Sequence, residues 1–340
     1  MEELVIFLGR REVEALLPMA EAIEVMAATF AELGRGEALQ PLRSALWLPD
    51  RRGLLGSMPS AIPPRDGAPG VMAEKVLTVF PANWQKGEET HLGFVLLFEA
   101  EGGRPLAILD AAAVTAVRTA AVSGLATRIL AREDASTLAL LGAGTQARTH
   151  LEAVRAVRPI ERVRVWSRNF ANARRFAEEE SVRWGLVVEA VETPETAVAE
   201  AEIVCTVSAS HEPVLAGRWL APGCHLNAVG ACTPKARELD SEAVRRARVF
   251  VDRAESAWNE AGDLLIPLAA GEIGRDVVAG ELGDVVLGRV EGRRSTSEIT
   301  LFKSLGLGAE DAASARHVFF KALATGAGTR LEGGSHSSPA

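Results

Sequence analysis

The fold is decided by the stretch Leu138-Ala139-Leu140-Leu141-Gly142-Ala143-Gly144-Thr145-Gln146-Ala147. Its apolar first half predicts a buried strand, and a helix is expected directly after the glycines. The pattern between them is G-x-G-x-x-A. Gly142 permits a tight turn, Gly144 lets the backbone approach a pyrophosphate, and Ala147 allows the helix to pack closely on the strand. Many α/β proteins that bind no dinucleotide have such a turn. Whether this turn is a dinucleotide site therefore depends on the secondary structure predicted around it.

Strands and helices alternate along the chain around this turn. Apolar runs predict strands at Thr137–Leu141, Arg162–Trp166, Val187–Val191, Ile203–Val207, Leu226–Val229 and Val249–Asp252. Helices are expected between the first four of these strands, and the first helix is expected at about 145–157. This is the rhythm of a doubly wound parallel sheet, whose glycine turn binds a dinucleotide with the pyrophosphate at the helix N-terminus.

The region before the turn has a different pattern. Residues 1–35 predict a short strand and an amphipathic helix that Gly34 ends, and residues 39–110 contain several strands in hairpin-like succession, which predict an antiparallel sheet. A helix over 111–131 follows, with Asp110 as its cap. The fold class is therefore α/β with a second, mixed α+β part.

The composition of the chain argues against several classes of binding partner. The 340 residues have a net charge of −8 and no run of Lys or Arg, which argues against nucleic acid and anionic membranes. No stretch approaches the ~18 apolar residues of a membrane span, and the start lacks the features of a signal peptide. The three cysteines form no C-x-x-C, which fits a reducing cytoplasm, and the six histidines show no ligand spacing, so no metal site is expected.

The end of the second parallel strand indicates which nucleotide binds. An NAD-selective fold usually has Asp or Glu roughly 20 residues after the glycine turn, where it binds the ribose 2′-hydroxyl. Here Ser167 and Arg168 occupy that position. No carboxylate repels a 2′-phosphate and a guanidinium is available to pair with it, which favours NADP(H) over NAD(H). The alternative is that Arg168 is an ordinary surface residue.

Three basic residues allow two interpretations each. Lys75 lies among apolar residues of a predicted strand, where a lysine usually faces solvent. Arg43 is likewise most often a surface residue. Arg118 near a helix start is either solvated or part of an anion pocket that holds a phosphate or carboxylate.

Several segments together resemble the ornithine cyclodeaminase/mu-crystallin family. They are Arg43, Gly56–Pro59, Lys75, Val95–Phe98, Thr115–Ala121, Gly142–Ala147, Asn227–Ala231, Arg237–Asp240 and Thr300–Gly306. The resemblance implies a Rossmann domain inserted in a mixed α+β domain that binds substrate and forms a homodimer. We accordingly expect a substrate and dimerisation domain at 1–115, to which 308–325 return, a dinucleotide-binding domain at 116–307, and a disordered tail at 326–340.

The resemblance also indicates the chemistry. Cyclodeaminases have an aspartate where this sequence has Cys232 and a glutamate where it has Gly56, so the carboxylates that serve diamine chemistry are missing. The other segments look like the mu-crystallin branch of ketimine reductases. We therefore predict an NADPH-dependent reductase of α-imino acids, cyclic or open-chain, which in reverse is an amino-acid dehydrogenase. The alternatives are an NAD-dependent ornithine cyclodeaminase and an NADPH-regulated small-molecule binding protein.

The motifs and the resemblance assign site residues. Lys75 is the candidate catalytic residue, expected near the C=N nitrogen with a lowered pKa. The substrate-binding candidates are Arg43, Lys75, Arg118 and Leu305. The cofactor-binding candidates are Thr90, His91, Arg118, Thr119, Gly142, Gly144, Thr145, Gln146, Ser167, Arg168, Asn169, Thr206, Val229, Gly230, Ala231 and Ser304. Cys232 has a second interpretation as a small buried residue.

Overall fold

A computed structural model of the chain describes residues 4–332 and divides it into two compact units. Unit 1 comprises the chain up to Arg118 and from Leu307 onward, and unit 2 is Thr119–Gly306. The expected domain boundaries, after 115 and after 307, lie three residues and one residue from these. Among the described residues, no helix has both the length and the apolar character needed to cross a membrane.

Unit 1 is built on a seven-stranded mixed sheet. Its strands are β1 (Leu4–Leu8), β2 (Ser44–Trp47), β3 (Leu54–Ile62), β4 (Val71–Val79), β5 (His91–Glu99), β6 (Pro105–Asp110) and β15 (Thr329–Glu332). Its helices are α1 (Arg10–Leu16), α2 (Met19–Arg35), α11 (Gly308–Thr325) and the first part of α3 (Ala111–Leu130). The order is β15-β1-β6-β5-β4-β3-β2, and β2 to β6 form the expected antiparallel succession.

The sheet of unit 1 has one covered face. Alternate residues of β4, Val71, Ala73 and Lys75, are buried, while Met72 between them is exposed. Helix α11 packs on β3, β4 and β5, and α2 packs on α11. Because successive residues of a strand point to opposite faces, this register places Lys75 on the covered side.

Two details of unit 1 differ from expectation. Helix α2 ends at Gly36, whose φ of 74° is left-handed, and not at Gly34, because the helix continues to Arg35. The tail expected to be disordered forms β15 at Thr329–Glu332, because β1 offers it an antiparallel edge. Residues 333–340 of that tail lie outside the described residues. The cap at Asp110 is confirmed, since its Oδ1 accepts a bond from the Ala113 N–H at 2.7 Å.

Unit 2 is an eight-stranded parallel sheet. Its strands are β7 (Thr137–Leu141), β8 (Arg162–Trp166), β9 (Val187–Val191), β10 (Ile203–Thr206), β11 (His225–Ala228), β12 (Arg248–Val251), β13 (Val278–Glu281) and β14 (Thr300–Lys303). Its helices are α4 (Thr145–Val157), α5 (Phe170–Trp184), α6 (Pro194–Val198), α7 (Ser241–Arg246), α8 (Ala254–Glu260), α9 (Gly262–Ala269), α10 (Leu282–Val286) and the remainder of α3. The order is β13-β12-β14-β11-β10-β7-β8-β9, which confirms the doubly wound α/β fold.

Strand β7 explains why the deciding stretch is so apolar. Leu138 and Leu140 belong to one buried cluster, and Ala139 and Leu141 belong to another. A parallel strand covered on both faces needs apolar residues at every position. Because β7 pairs with β8 on one side and β10 on the other, the glycine turn at its carboxyl end lies where the order of strands changes direction. Open α/β sheets bind their ligands at this point.

Candidate active site

The glycine turn has the two properties that a pyrophosphate site needs. Gly142 has a φ of 131°, and a Cβ there would lie 2.6 Å from the carbonyl oxygen of Val207, so only glycine fits. At Gly144 a Cβ would meet nothing within 4 Å, so this side of the turn is open. Helix α4 starts at Thr145 without a side-chain cap, which leaves its N-terminus available to an anion. The turn therefore fits a dinucleotide.

The segment after β8 carries the residues expected to select the nucleotide. Ser167 follows the strand directly, and Arg168 is exposed and held by no ion pair to another described residue. Asn169 has a structural task, because its Oδ1 caps α5 by accepting a bond from the Ala171 N–H at 3.0 Å. The backbone of this segment touches the glycine turn, since the N–H of Gly142 donates to the carbonyl of Trp166 at 2.9 Å.

Two predicted cofactor residues carry buried hydroxyls. Thr206 ends β10 and Ser304 follows β14, and both are almost fully buried. Within residues 4–332, the Oγ1 of Thr206 and the Oγ of Ser304 have no hydrogen-bond partner. Since a buried hydroxyl without a partner costs free energy, such groups fit a site whose ligand completes them. This second observation supports a nucleotide site in unit 2.

The remaining predicted residues of unit 2 have mixed environments. Thr119, Val229, Ala231 and Leu305 are buried, while Gly144, Thr145 and Gly230 are exposed and Gln146 is half-buried. The backbone ties two of the loops together, because the N–H groups of Val229 and Gly230 both donate to the carbonyl of Thr206. The N–H of Leu305 donates to Asp252 Oδ2 at 2.6 Å.

Unit 1 contains a separate charged cluster centred on Lys75. Lys75 is only 2% exposed, so the interpretation as a solvent-facing residue is wrong. Its Nζ lies 2.7 Å from Asp311 Oδ2 and 3.4 Å from the Thr115 hydroxyl. Strand register puts it there, because Lys75 pairs with Met58 on one side and Val95 on the other, beneath α11.

Arg118 is buried in the same cluster. Its Nε donates to Asp311 Oδ1 at 3.0 Å and its Nη1 donates to Glu310 Oε2 at 2.8 Å, so the interpretation as a solvated arginine is wrong. Both carboxylates lie in the first turn of α11, whose dipole stabilises negative charge. The sequence reasoning missed Glu310 and Asp311. The available signal was a pair of adjacent acids in a stretch, 308–315, whose other residues are all small.

A third basic residue acts on the cluster. Arg43, half-buried just before β2, adds a third cation whose charge acts on Lys75. Burial, and then the charge of Arg118, lower the pKa of Lys75 to about 8 in spite of the bond to Asp311. A lysine with this pKa exchanges protons near neutral pH.

Thr90 and His91 belong to unit 1. The Nδ1 of His91 lies 2.9 Å from the Thr90 hydroxyl. Loss of hydration, and then the positive charge of Lys75, lower the pKa of His91. His91 is thus electrostatically coupled to the Lys75 cluster, and its expected contact with the cofactor stays a prediction.

Cys232 and Gly56 occupy the two positions at which the resemblance to cyclodeaminases would lead to carboxylates. Cys232 lies in the loop after β11, and its thiol donates to the carbonyl of Val229 at 3.3 Å. Gly56 is buried on β3, facing the same side as Met58. Neither position offers an acid–base group of the kind that a carboxylate would provide.

Comparisons with known proteins show the family to which the chain belongs. The model of the ornithine cyclodeaminase/mu-crystallin family matches residues 4–326. The chain is 36% identical to the Delta(1)-pyrroline-2-carboxylate reductase of Bacillus cereus over 328 residues, 96% of this chain and 99% of the relative. It is 35% identical to the ketimine reductase mu-crystallin of Mus musculus over 317 residues, 92% and 96% of the two chains.

Solved structures show the same relationship. The Delta(1)-pyrroline-2-carboxylate reductase of Thermococcus litoralis, in complex with NADH and L-proline, superposes with a TM-score of 0.92 at 40% identity and covers 96% of this chain and 100% of its own. An archaeal alanine dehydrogenase dimer with bound NAD has a TM-score of 0.90 at 32% identity, covering 96% and 99%.

Proposed function

Because the chain belongs to the ornithine cyclodeaminase/mu-crystallin family, we propose that it reduces the C=N bond of a small cyclic α-imino acid of the 1-pyrroline-2-carboxylate class. It is a nicotinamide-dependent oxidoreductase of C=N bonds. The observation that carries the substrate assignment is the gathering of three basic side chains in unit 1, the buried Lys75 and Arg118 and the half-buried Arg43, since such a substrate has one carboxylate and one imine nitrogen. The relatives named as pyrroline-2-carboxylate reductases, one of them solved with L-proline, support the five-membered ring.

Three residues of unit 1 act on this substrate. Arg43 and Arg118 hold the carboxylate, with Arg118 fixed in place by Glu310 and Asp311. Lys75 donates a proton to the imine nitrogen and is re-protonated from solvent. A bound reduced nicotinamide supplies the hydride. The open turn at Gly144 and the start of α4 hold its pyrophosphate.

Turnover measurements on the purified chain test the proposal. We expect 1-pyrroline-2-carboxylate to consume reduced nicotinamide, and L-proline to reduce the oxidised nucleotide more slowly in reverse. Ammonia release from ornithine, without reduction of either cyclic imine with a five- or six-membered ring, would overturn the proposal in favour of a cyclodeaminase. Tight nucleotide binding without turnover would favour a binding protein.

The pH dependence of the two directions follows from Lys75. Imine reduction needs the protonated lysine, which is present below a pKa of about 8 and lost above it. We expect kcat for reduction to be level below pH 8 and to fall about tenfold per pH unit above it. Amine oxidation needs the neutral lysine, so its kcat should rise about tenfold per pH unit up to pH 8 and be level above it. Parallel profiles in the two directions would contradict this role.

We propose that NADPH is preferred over NADH, on the residues after β8. The exposed Arg168 is available to a 2′-phosphate, and Ser167 replaces the carboxylate that would repel it. We expect the double substitution Ser167→Asp, Arg168→Ala to reverse the preference, raising the KM for NADPH by about tenfold or more. Arg174→Ala, an exposed arginine on α5, serves as control. Equal KM values for both nucleotides in the unaltered chain would refute the preference.

We propose that the chain forms a homodimer through the uncovered face of the sheet of unit 1. This face exposes Leu46, Leu55, Met72, Leu92 and Phe94. Exposed apolar residues gathered on one face mark an interaction site, and β2 is an edge strand. A second copy is the expected occupant, as the alanine dehydrogenase neighbour is a dimer. Leu46→Glu with Phe94→Glu should give a monomer by light scattering, whereas Val182→Glu on α5 should not; an unchanged mass would contradict this surface.

A further inference from the structure

Unit 2 contains a buried charged network at the carboxyl ends of β10 and β11. Glu238 is fully buried and joins two loops. Its Oε1 accepts bonds from the N–H and the hydroxyl of Ser208, each at 2.7 Å, and its Oε2 accepts from the N–H of Gly230 at 2.7 Å. One carboxylate thus fixes the segment that follows β10 and the segment that follows β11.

Asp263 fixes the backbone at Glu238, and Lys303 pairs with Asp263. Asp263 Oδ1 accepts bonds from the N–H groups of Glu238 and Leu239 at 2.8 and 3.0 Å. Asp263 Oδ2 lies 2.9 Å from Lys303 Nζ, and Lys303 also donates to the carbonyl of Ala231 at 2.7 Å. All three charged side chains are at most 1% exposed.

Joining two loops through buried charged groups costs desolvation free energy. Two carboxylates and one ammonium are removed from water, and neutral groups of similar size would often be at least as stable. Burial, and then the charge of Asp263, raise the pKa of Glu238, as expected for a carboxylate removed from water. Gly230 adds a steric constraint, because a Cβ there would lie 2.1 Å from the Ser208 carbonyl oxygen. What the network provides is a fixed spacing between the loops.

The position of these loops in the sheet indicates which half of the dinucleotide they face. In a doubly wound fold the adenosine ribose binds at the end of the strand that follows the glycine-turn strand, here β8. Strands β10 and β11 lie on the opposite side of β7. The loops joined by Glu238 are therefore on the nicotinamide side, beside the buried hydroxyl of Thr206 at the end of β10.

We propose that Glu238, whose backbone is fixed by the Lys303-paired Asp263, is a positioning residue that sets the loops after β10 and β11 for the nicotinamide half of the dinucleotide. The proposal rests on the proposed function only in that a nicotinamide nucleotide binds in unit 2. Preorganised loops orient the ring without ordering cost at the moment of binding.

Binding measurements with Glu238→Gln test the proposal. The amide keeps an acceptor for Ser208 but turns an N–H₂ group toward the N–H of Gly230, so two donors face each other. Two ligands are titrated by calorimetry: the reduced dinucleotide that the unaltered chain binds more tightly, and the matching fragment without nicotinamide, ADP-ribose or its 2′-phosphate. We expect the dissociation constant of the dinucleotide to rise about tenfold or more and that of the fragment to change less than twofold.

Controls separate positioning from folding. Glu212→Gln, an exposed glutamate near the first loop, should leave both constants unchanged. The pair Lys303→Met with Asp263→Asn removes opposite charges together, and it should bind the dinucleotide more tightly than Lys303→Met alone, which leaves two buried carboxylates without a cation. Equal weakening of dinucleotide and fragment by Glu238→Gln, or no weakening of either, would overturn the proposal. A chain that binds the nucleotide but reduces no imine would overturn the proposed function while leaving this comparison decisive.

Discussion

Lys75→Met is expected to lower kcat for imine reduction by about a thousandfold, within the range that general acid catalysis contributes. Methionine has a similar length and no proton to donate, so the imine nitrogen has to be protonated by water. The dissociation constant for the nucleotide should stay within about twofold, because the glycine turn belongs to the other unit. Rapid-mixing kinetics with saturating nucleotide give kcat, and titration of nucleotide fluorescence gives the binding constant.

The fold should survive this substitution. Asp311 keeps its bond from Arg118 at 3.0 Å, so no carboxylate of the cluster is left without a cation. Lys86→Met, at an exposed lysine that ends the short 3-10 helix Pro81–Lys86 before β5, is the matched control and should retain full activity. If Lys75→Met turned over at a rate close to that of the unaltered chain, Lys75 would not be the proton donor.

Gly144→Val is expected to weaken nucleotide binding by about ten- to a hundredfold without lowering stability. The backbone at Gly144, with φ −97° and ψ −164°, is extended and open to any residue, and a Cβ there meets nothing within 4 Å. The valine side chain would therefore fill only the space through which a pyrophosphate approaches α4. Calorimetric titration with NADPH and NADH measures the loss.

Gly142→Ala provides the contrast within the same turn. Its Cβ would lie 2.6 Å from the carbonyl oxygen of Val207 at a φ of 131°, so this variant should lose thermal stability. Gly144→Val should melt within a few degrees of the unaltered chain. A Gly144→Val variant that bound nucleotide normally would show that the pyrophosphate does not approach this turn.

Local patterns made the parallel sheet and the glycine turn predictable. A strand buried on both faces has to be apolar throughout, and a turn that runs directly into a helix has to carry glycine at Gly142. Both requirements act within about ten residues, so the order of residues shows them. The cap at Asp110 was predictable for the same reason.

The face on which Lys75 lies could not be predicted in this way. A lysine among apolar residues is compatible with either face of a strand, and the choice depends on what covers the sheet. Helix α11, which covers it, comes more than two hundred residues later. The partners of Arg118 illustrate the same limit, since Glu310 and Asp311 follow it by 192 and 193 positions.

The return of the chain to its first unit has a consequence for synthesis on the ribosome. Unit 2 is continuous in sequence and can complete its sheet as soon as Gly306 has emerged, because domains generally fold as units during translation. Unit 1 has to wait for α11 and β15. Until then Lys75 and Arg118 lack the carboxylates that neutralise them, and the sheet face that α11 will cover is bare. The nascent N-terminal segment therefore exposes this sheet face during synthesis until α11 has been made.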